Sequence, residues 1–236
     1  MISIVTPVLN GKKFILKNIE SIQKLNIPYE HIVIDGGSVD GTVEYIRKNY
    51  PDVIVVLQKN QCGMYAAIHE GFELAKYDYI SWINCDDQII AKNFQESVIY
   101  ANKNKYDLLY GDGDVLYLKS NRYNNCKSNP LGRFFLKKGI LPFNQPSSIF
   151  SKSCYYRNVL DYEKFKIAGD LDMFMRMAFD ENCKIYYFRK PLSVFVKHGN
   201  SLGDHNEKQA IYETSILLGI KRTLFDKYLF RLTRYL

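Results

Sequence analysis

Two hydrophobic periods alternate along the chain. Short continuous apolar runs occur at Ile2 to Val5, His31 to Ile34, Val53 to Leu57, Tyr79 to Ile83 and Leu108 to Tyr110. Runs of this length, rich in Ile and Val, predict strands buried on both faces. Between them lie Gly11 to Lys24, Gly41 to Asn49, Gly63 to Lys76 and Asn93 to Lys103, where apolar residues recur every three or four positions and predict helices. Asp40 stands where a cap for the second of these helices belongs. Strands alternating with helices imply right-handed crossovers and a mostly parallel central sheet with helices on both faces, an α/β fold.

After residue 111 the pattern loosens. Asn121 to Pro130 is polar and predicts a loop, and the Pro- and Ser-containing segment ending at Phe150 predicts a turn and an edge strand. Asp170 to Phe179 has helical spacing, Ile185 to Phe188 and Ser193 to Val196 predict two strands, and Asn206 to Leu218 a helix. Lys221 to Leu236 sets five basic residues beside a stripe of Leu, Phe and Tyr, the pattern of a basic amphipathic helix. The chain is therefore divided into a body over 1–205, with halves 1–111 and 112–205, and a C-terminal helical tail over 206–236.

With 236 residues, 47% of them hydrophobic, the chain can bury a substantial core without staples. Its five cysteines form no CxxC pair and no regular spacing, which argues against a disulfide framework or a zinc site and for a reducing compartment. No secretory signal and no bilayer-spanning run is seen, so a cytoplasmic location is expected. The net charge of +7 favours anionic partners without choosing among them. Nucleic acid is not expected, because the basic residues are dispersed except in the tail and carboxylates cluster where a polyanion would lie.

Ligands of open α/β sheets bind beyond the carboxyl ends of the strands. Three polar clusters fall there: Thr6 to Asn10, Asp35 to Asp40, and Asn84 to Asp87. Adjacent carboxylates at Asp86 and Asp87 suit a hard divalent cation shared with substrate phosphates, although either would also serve as a helix cap. Asp170 and Asp172 open a helix rich in Met and Phe, where an apolar neighbour would raise a carboxyl pKa and fit it for general-base work; complementing the helix dipole is the plain alternative. Asp35-Gly36-Gly37-Ser38 is a Gly-rich turn, neither a Walker A loop nor GxGxxG. His198, just past a predicted strand, is a further candidate ligand.

Taken together and in order, these segments resemble glycosyltransferase family 2. Ser3 to Asn10 is similar to the family's opening strand and first nucleotide loop, and His31 to Thr42 to its second strand and turn. Gly63 to Ala75 resembles the helix before the metal motif, Asp78 to Asp87 the strand ending in a DXD-type motif, and Gly169 to Met177 the helix carrying the catalytic base. The resemblance spans about residues 1 to 200 and implies a GT-A, Rossmann-like fold, with nucleotide-sugar binding in 1–111 and acceptor binding in 112–205.

It further implies that Thr6, Pro7, Asn10, Asp35, Gly37, Ser38 and Asp86 surround the nucleotide. Asp87 would be the main ligand of Mn²⁺ or Mg²⁺, helped by Asp86 and His198. Asp170 would be the acceptor base, supported by Asp172. Gly36 stands where many members carry a second Asp, and Gly169 where many carry Glu. The absence of a QxxRW motif implies one sugar per acceptor.

The expected activity is inverting transfer from a nucleotide-diphosphate sugar, a UDP-sugar preferred, to a hydroxyl of a glycan or lipid-linked glycan in bacterial surface-glycan assembly. The basic tail is expected to touch the anionic inner face of the plasma membrane or to pack on the domain. A sugar nucleotidylyltransferase and a non-catalytic basic binding module are the alternatives. The first lacks its Gly-rich phosphate loop here.

Overall fold

The computed structural model describes residues 1–59, 62–199, 201 and 206–219. The first half alternates as expected: β1 (Ile2–Val8), α1 (Lys12–Gln23), β2 (Tyr29–Asp35), α2 (Thr42–Asn49), β3 (Ile54–Leu57), α3 (Met64–Leu74) and β4 (Tyr79–Trp82). After the two-residue β5 (Gln88–Ile89) come α4 (Ala91–Asn104), β6 (Leu108–Tyr117), β7 (Arg122–Cys126) and α5 (Gly132–Lys137). The chain continues through β8 (Ser148–Ser151), α6 (Lys152–Arg157), α7 (Gly169–Phe179), β9 (Ile185–Lys197) and α8 (Glu207–Leu218).

These strands form one sheet in the order β3-β2-β1-β4-β8-β6-β9-β5, with β7 paired to β6. Strands β3, β2, β1 and β4 are mutually parallel, as are β6 and β9. All seven residues of β1 are buried, because β2 and β4 flank it and helices cover both faces. Its side chains alternate: Val5 joins the core under α3 and α7, while Ile2, Ile4 and Val8 face α1 and α4 or α2. On the α3 side the helix comes close enough that a Cβ at Gly71 would lie 2.4 Å from Val5 Cγ1, so only glycine allows this approach.

Three segments differ from the pattern-based expectation. Ser148–Ser151 is no edge strand; it inserts antiparallel between β4 and β6, with Ser148, Ile149 and Phe150 buried. Pro146 lies in the 3₁₀ turn Gln145–Ser147 just before it, so no ladder donor is lost. The two strands expected over 185–196 are one, because the register shifts opposite Asp112, where Pro191 pairs, absorb the proline. Part of the expected loop 121–130 forms a polar hairpin arm, β7, against β6.

Candidate functional site

Beyond the carboxyl ends of β1, β2 and β4 opens a cleft of about 900 Å³. Pro7 near the end of β1, Asn10 past it, Gly36 after β2 and Asn84 to Asp86 after β4 line the cleft. Asp170 on α7, His198 after β9 and Gln209 on α8 line it too. Residues far apart in sequence thus meet at one opening.

Asp86 and Asp87 diverge. Asp86 faces the cleft, and its Oδ2 lies 2.9 Å from His198 Nε2. The imidazole is held flat against Phe14, ring centroids 4.5 Å apart. Asp87 is completely buried, its Oδ1 accepting the backbone N–H of Val196 at 2.9 Å and its Oδ2 the side-chain Nδ2–H of Asn84 at 3.3 Å. Burial, and then the neighbouring Asp86 charge, push the Asp87 carboxyl well above the usual carboxylate range. Asp87, expected as the main metal ligand, thus lies in the core and Asp86 on the cleft: the turn at 84–87 aims consecutive side chains to opposite sides. Neither residue caps a helix, since α4 starts only at Ala91.

A divalent cation fits at Asp86. The carboxylate and the His198 imidazole are joined on the cleft wall by Asn84, whose buried Oδ1 has no hydrogen-bond partner. Among the described residues no group of three His, Cys, Asp or Glu side chains gathers to hold a metal. A cation shared with substrate phosphates needs no such cage, because it keeps water and phosphate oxygens as ligands.

Several residues expected around the nucleotide build the loops and do not line the cleft. Thr6 alternates with Pro7 along β1, so Pro7 lines the cleft while Thr6 points to the α1 side, bonded to His31 Nε2 at 2.9 Å. Asp35 is 1% exposed; its Oδ2 accepts the N–H groups of Gly37 and Ser38, both at 2.9 Å, which shapes the turn. Ser38 Oγ in turn accepts from Asn10 N–H at 2.7 Å, and Asn10 Oδ1 accepts from Val39 N–H at 2.9 Å. Of this segment, Asn10 and Gly36 reach the cleft.

Asp170 occupies the first turn of α7 and lines the cleft. Its Oδ1 accepts the Leu171 N–H at 2.8 Å and the Tyr65 hydroxyl at 3.1 Å, bonds that Oδ2 does not share. Burial raises its pKa against the pull of these hydrogen bonds. Asp172, expected to support it, lies two residues on, away from the cleft, and pairs with Arg176 at 2.6 Å. The support comes from Tyr65, whose hydroxyl also bonds the Ile167 carbonyl at 2.8 Å. Gly169 makes room for that ring: a Cβ there would lie 2.9 Å from Tyr65 Cδ2 and Cε2.

Tyr65 and Glu213 escaped the reading from sequence. Tyr65 has one signal, its place at the strand-end side of α3. Glu213 has none, being one carboxylate of a weakly patterned helix; yet it is buried under 166–168. Helix α8, which sequence assigned to a separate tail, supplies Gln209 to the cleft, and Asn206 just before it lines the cleft as well. Residues 221–236 lie outside the described residues.

The model of the family described as "Glycosyl transferase family 2" matches residues 3–162, a span containing the β1, β2 and β4 loops and Asp86. The chain belongs to glycosyl transferase family 2. An uncharacterized glycosyltransferase of Rickettsia felis is 28% identical over 151 residues, 61% of this chain and 23% of that protein. The poly(ribitol-phosphate) beta-glucosyltransferase of Bacillus spizizenii is 28% identical over 117 residues, 47% of this chain and 18% of that enzyme. This glycosyltransferase chain thus spans under a quarter of the length of either. An uncharacterized glycosyltransferase of Mycobacterium tuberculosis is matched more fully, 25% identical over 89% of this chain and 80% of that protein.

Among solved structures, S. aureus TarS 1-349 in complex with UDP-GlcNAc superposes with a TM-score of 0.68 at 16% identity, covering 93% of this chain and 66% of that one. The mannosyltransferase PcManGT of Pyrobaculum calidifontis, in complex with GDP-Man and Mn²⁺, gives 0.63 at 14% identity, covering 98% and 68%. These likenesses establish the GT-A fold of the family 2 chain.

Proposed function

We propose that this glycosyltransferase moves one sugar, with inversion, from a nucleotide-diphosphate sugar to an acceptor hydroxyl in the cleft between Asp86 and Asp170. The observation that carries this reading is the meeting of these two carboxylates, from opposite halves of the chain, at one opening. Asp86, with His198 and the Asn84 side-chain Oδ1, would hold a Mn²⁺ or Mg²⁺ ion, whose chemistry when bound is to offset charge on the departing diphosphate. Asp170 accepts the acceptor's proton on Oδ2 as the acceptor oxygen bonds to the anomeric carbon; the bond to the diphosphate breaks and its electron pair leaves with that group. The raised pKa suits this role, since a stronger base draws the proton more readily.

A UDP-sugar is the preferred donor, in line with the UDP-GlcNAc complex of the structurally similar TarS. The acceptor is read as a glycan or lipid-linked glycan of a bacterial surface polymer, reached at the inner face of the membrane. Among the described residues no helix is long and apolar enough to cross a membrane. A panel of nucleotide-sugars with Mn²⁺, read by thermal shift and by release of nucleoside diphosphate, tests the proposal. Stabilisation and turnover with one donor is the expected result. Release of pyrophosphate from a nucleoside triphosphate plus a sugar phosphate would instead establish a nucleotidylyltransferase.

A further inference from the structure

Helix α7 begins at a residue that cannot cap it. Ala168 occupies the cap position and offers no side-chain acceptor. The backbone N–H groups entering the helix nevertheless have a partner, and it comes from α8. Glu213 Oε2 accepts from Ile167 N–H at 2.9 Å and Ala168 N–H at 2.8 Å, while Oε1 accepts from Lys166 N–H at 3.0 Å and from the Gln209 amide at 2.8 Å. The residue is 1% exposed. Four bonds on one buried carboxylate hold it in a single geometry, and a negative charge at a helix N-terminus is favoured by the dipole.

The anchored loop is the one that carries the site. Lys166 and Ile167 line the cleft, and Asp170 follows within the first turn of α7. The Ile167 carbonyl receives the Tyr65 hydroxyl that also bonds Asp170. Glu213 holds the N–H side of this loop while Tyr65 holds its carbonyl side. We propose that Glu213 is a positioning residue for Asp170, fixing the entry to α7 from a helix outside the segment that carries the family motifs. This rests on the reading of Asp170 as the base.

Charge supports the same link. Burial alone would raise the Glu213 pKa, but its bonds from Gln209 and the three N–H groups hold it below the ordinary value, so it stays ionised. Burial is the main cause that raises the Asp170 pKa, and the Glu213 charge adds to it, against the lowering bonds from Leu171 and Tyr65. Tyr65 from α3 and Glu213 from α8 are the titratable groups that act on Asp170, and Lys166 shares the cleft wall.

The test compares Glu213→Gln with the native chain in kcat, donor KM, pH profile and amide exchange. Glutamine is nearly isosteric but brings an NH₂ group toward backbone donors. Expected are faster exchange at Lys166, Ile167 and Ala168, a kcat lower by about tenfold or more, since small misplacements of reacting groups cost on that scale, an unchanged donor KM, and an acid limb shifted to lower pH. Glu213→Asp keeps the charge and recovers part of kcat; it serves as the second variant should the first fail to fold. Native kcat alongside faster exchange would overturn the positioning role, and unchanged exchange would overturn the anchor itself. Native turnover in Asp170→Asn would sink the base assignment separately, with exchange at 166–168 still reporting whether the anchor exists.

Discussion

Asp86 Oδ2 and His198 Nε2 lie 2.9 Å apart across 112 residues of sequence, and the pair faces the cleft beyond the sheet. Strand β9 makes this contact: its parallel pairing with β6 runs to Lys197, which delivers His198 beside the loop after β4. If the pair holds the cation, Asp86→Ala and His198→Ala each lower kcat by about a hundredfold or more, the usual cost of losing transition-state charge stabilisation. Chelation with EDTA abolishes turnover, and Mn²⁺ or Mg²⁺ restores it. Full turnover in thoroughly chelated protein rules the cation out.

Asp87 should behave differently from its neighbour. Asp87→Ala strands the buried Val196 N–H, which costs about 1–3 kcal/mol for an unsatisfied group. Urea unfolding of this variant is expected to show a lower midpoint, whereas Asp86→Ala leaves the midpoint near native. Equal stability losses at both positions would contradict the division between a core carboxylate and a cleft carboxylate.

For Asp170, activity and stability should move in opposite directions. Asp170→Asn lowers kcat by about 10²- to 10⁴-fold, the range for losing a general base. Its folded pKa is raised, so as pH rises the unfolded chain ionises first and binds fewer protons than the folded one. Stability therefore falls with rising pH between the unfolded and folded values, and the loss persists at neutrality. Removing the charge with asparagine is expected to raise the Tm at pH 7 and flatten that dependence. A lower Tm would show that the carboxylate stabilises the fold.

Tyr65→Phe removes a hydrogen bond that favours ionised Asp170. The acid limb of the pH–rate profile, where activity fades as Asp170 gains its proton, should move to higher pH. This is opposite to the shift expected of Glu213→Gln. Matching shifts in both variants would mean that the limb belongs to another group.

Gly169→Ala places a methyl group 2.9 Å from the Tyr65 ring. The ring must yield or the start of α7 must shift, at about 1–3 kcal/mol for overpacking. Lower stability together with lower kcat is expected; a native kcat would show that the ring's position does not matter to the base.

What the chain's own order of residues determined was the alternation of strand and helix through β4, the loops at the strand ends, and the ordered motifs of the family. Each is local: period, turn residues and short signatures are read within a window of about ten residues. The division of labour between Asp86 and Asp87 was not local, since two adjacent carboxylates look alike until Val196 claims one and His198 the other. Alternation along β1 likewise separates Thr6 from Pro7 only once it is known which face is the cleft. Strand β8 looked like an edge until β4 and β6 closed on it. Glu213 shows the limit most clearly. Apart from Gln209 on its own helix, its partners are three backbone N–H groups more than forty residues away, and no side-chain pattern marks a backbone donor.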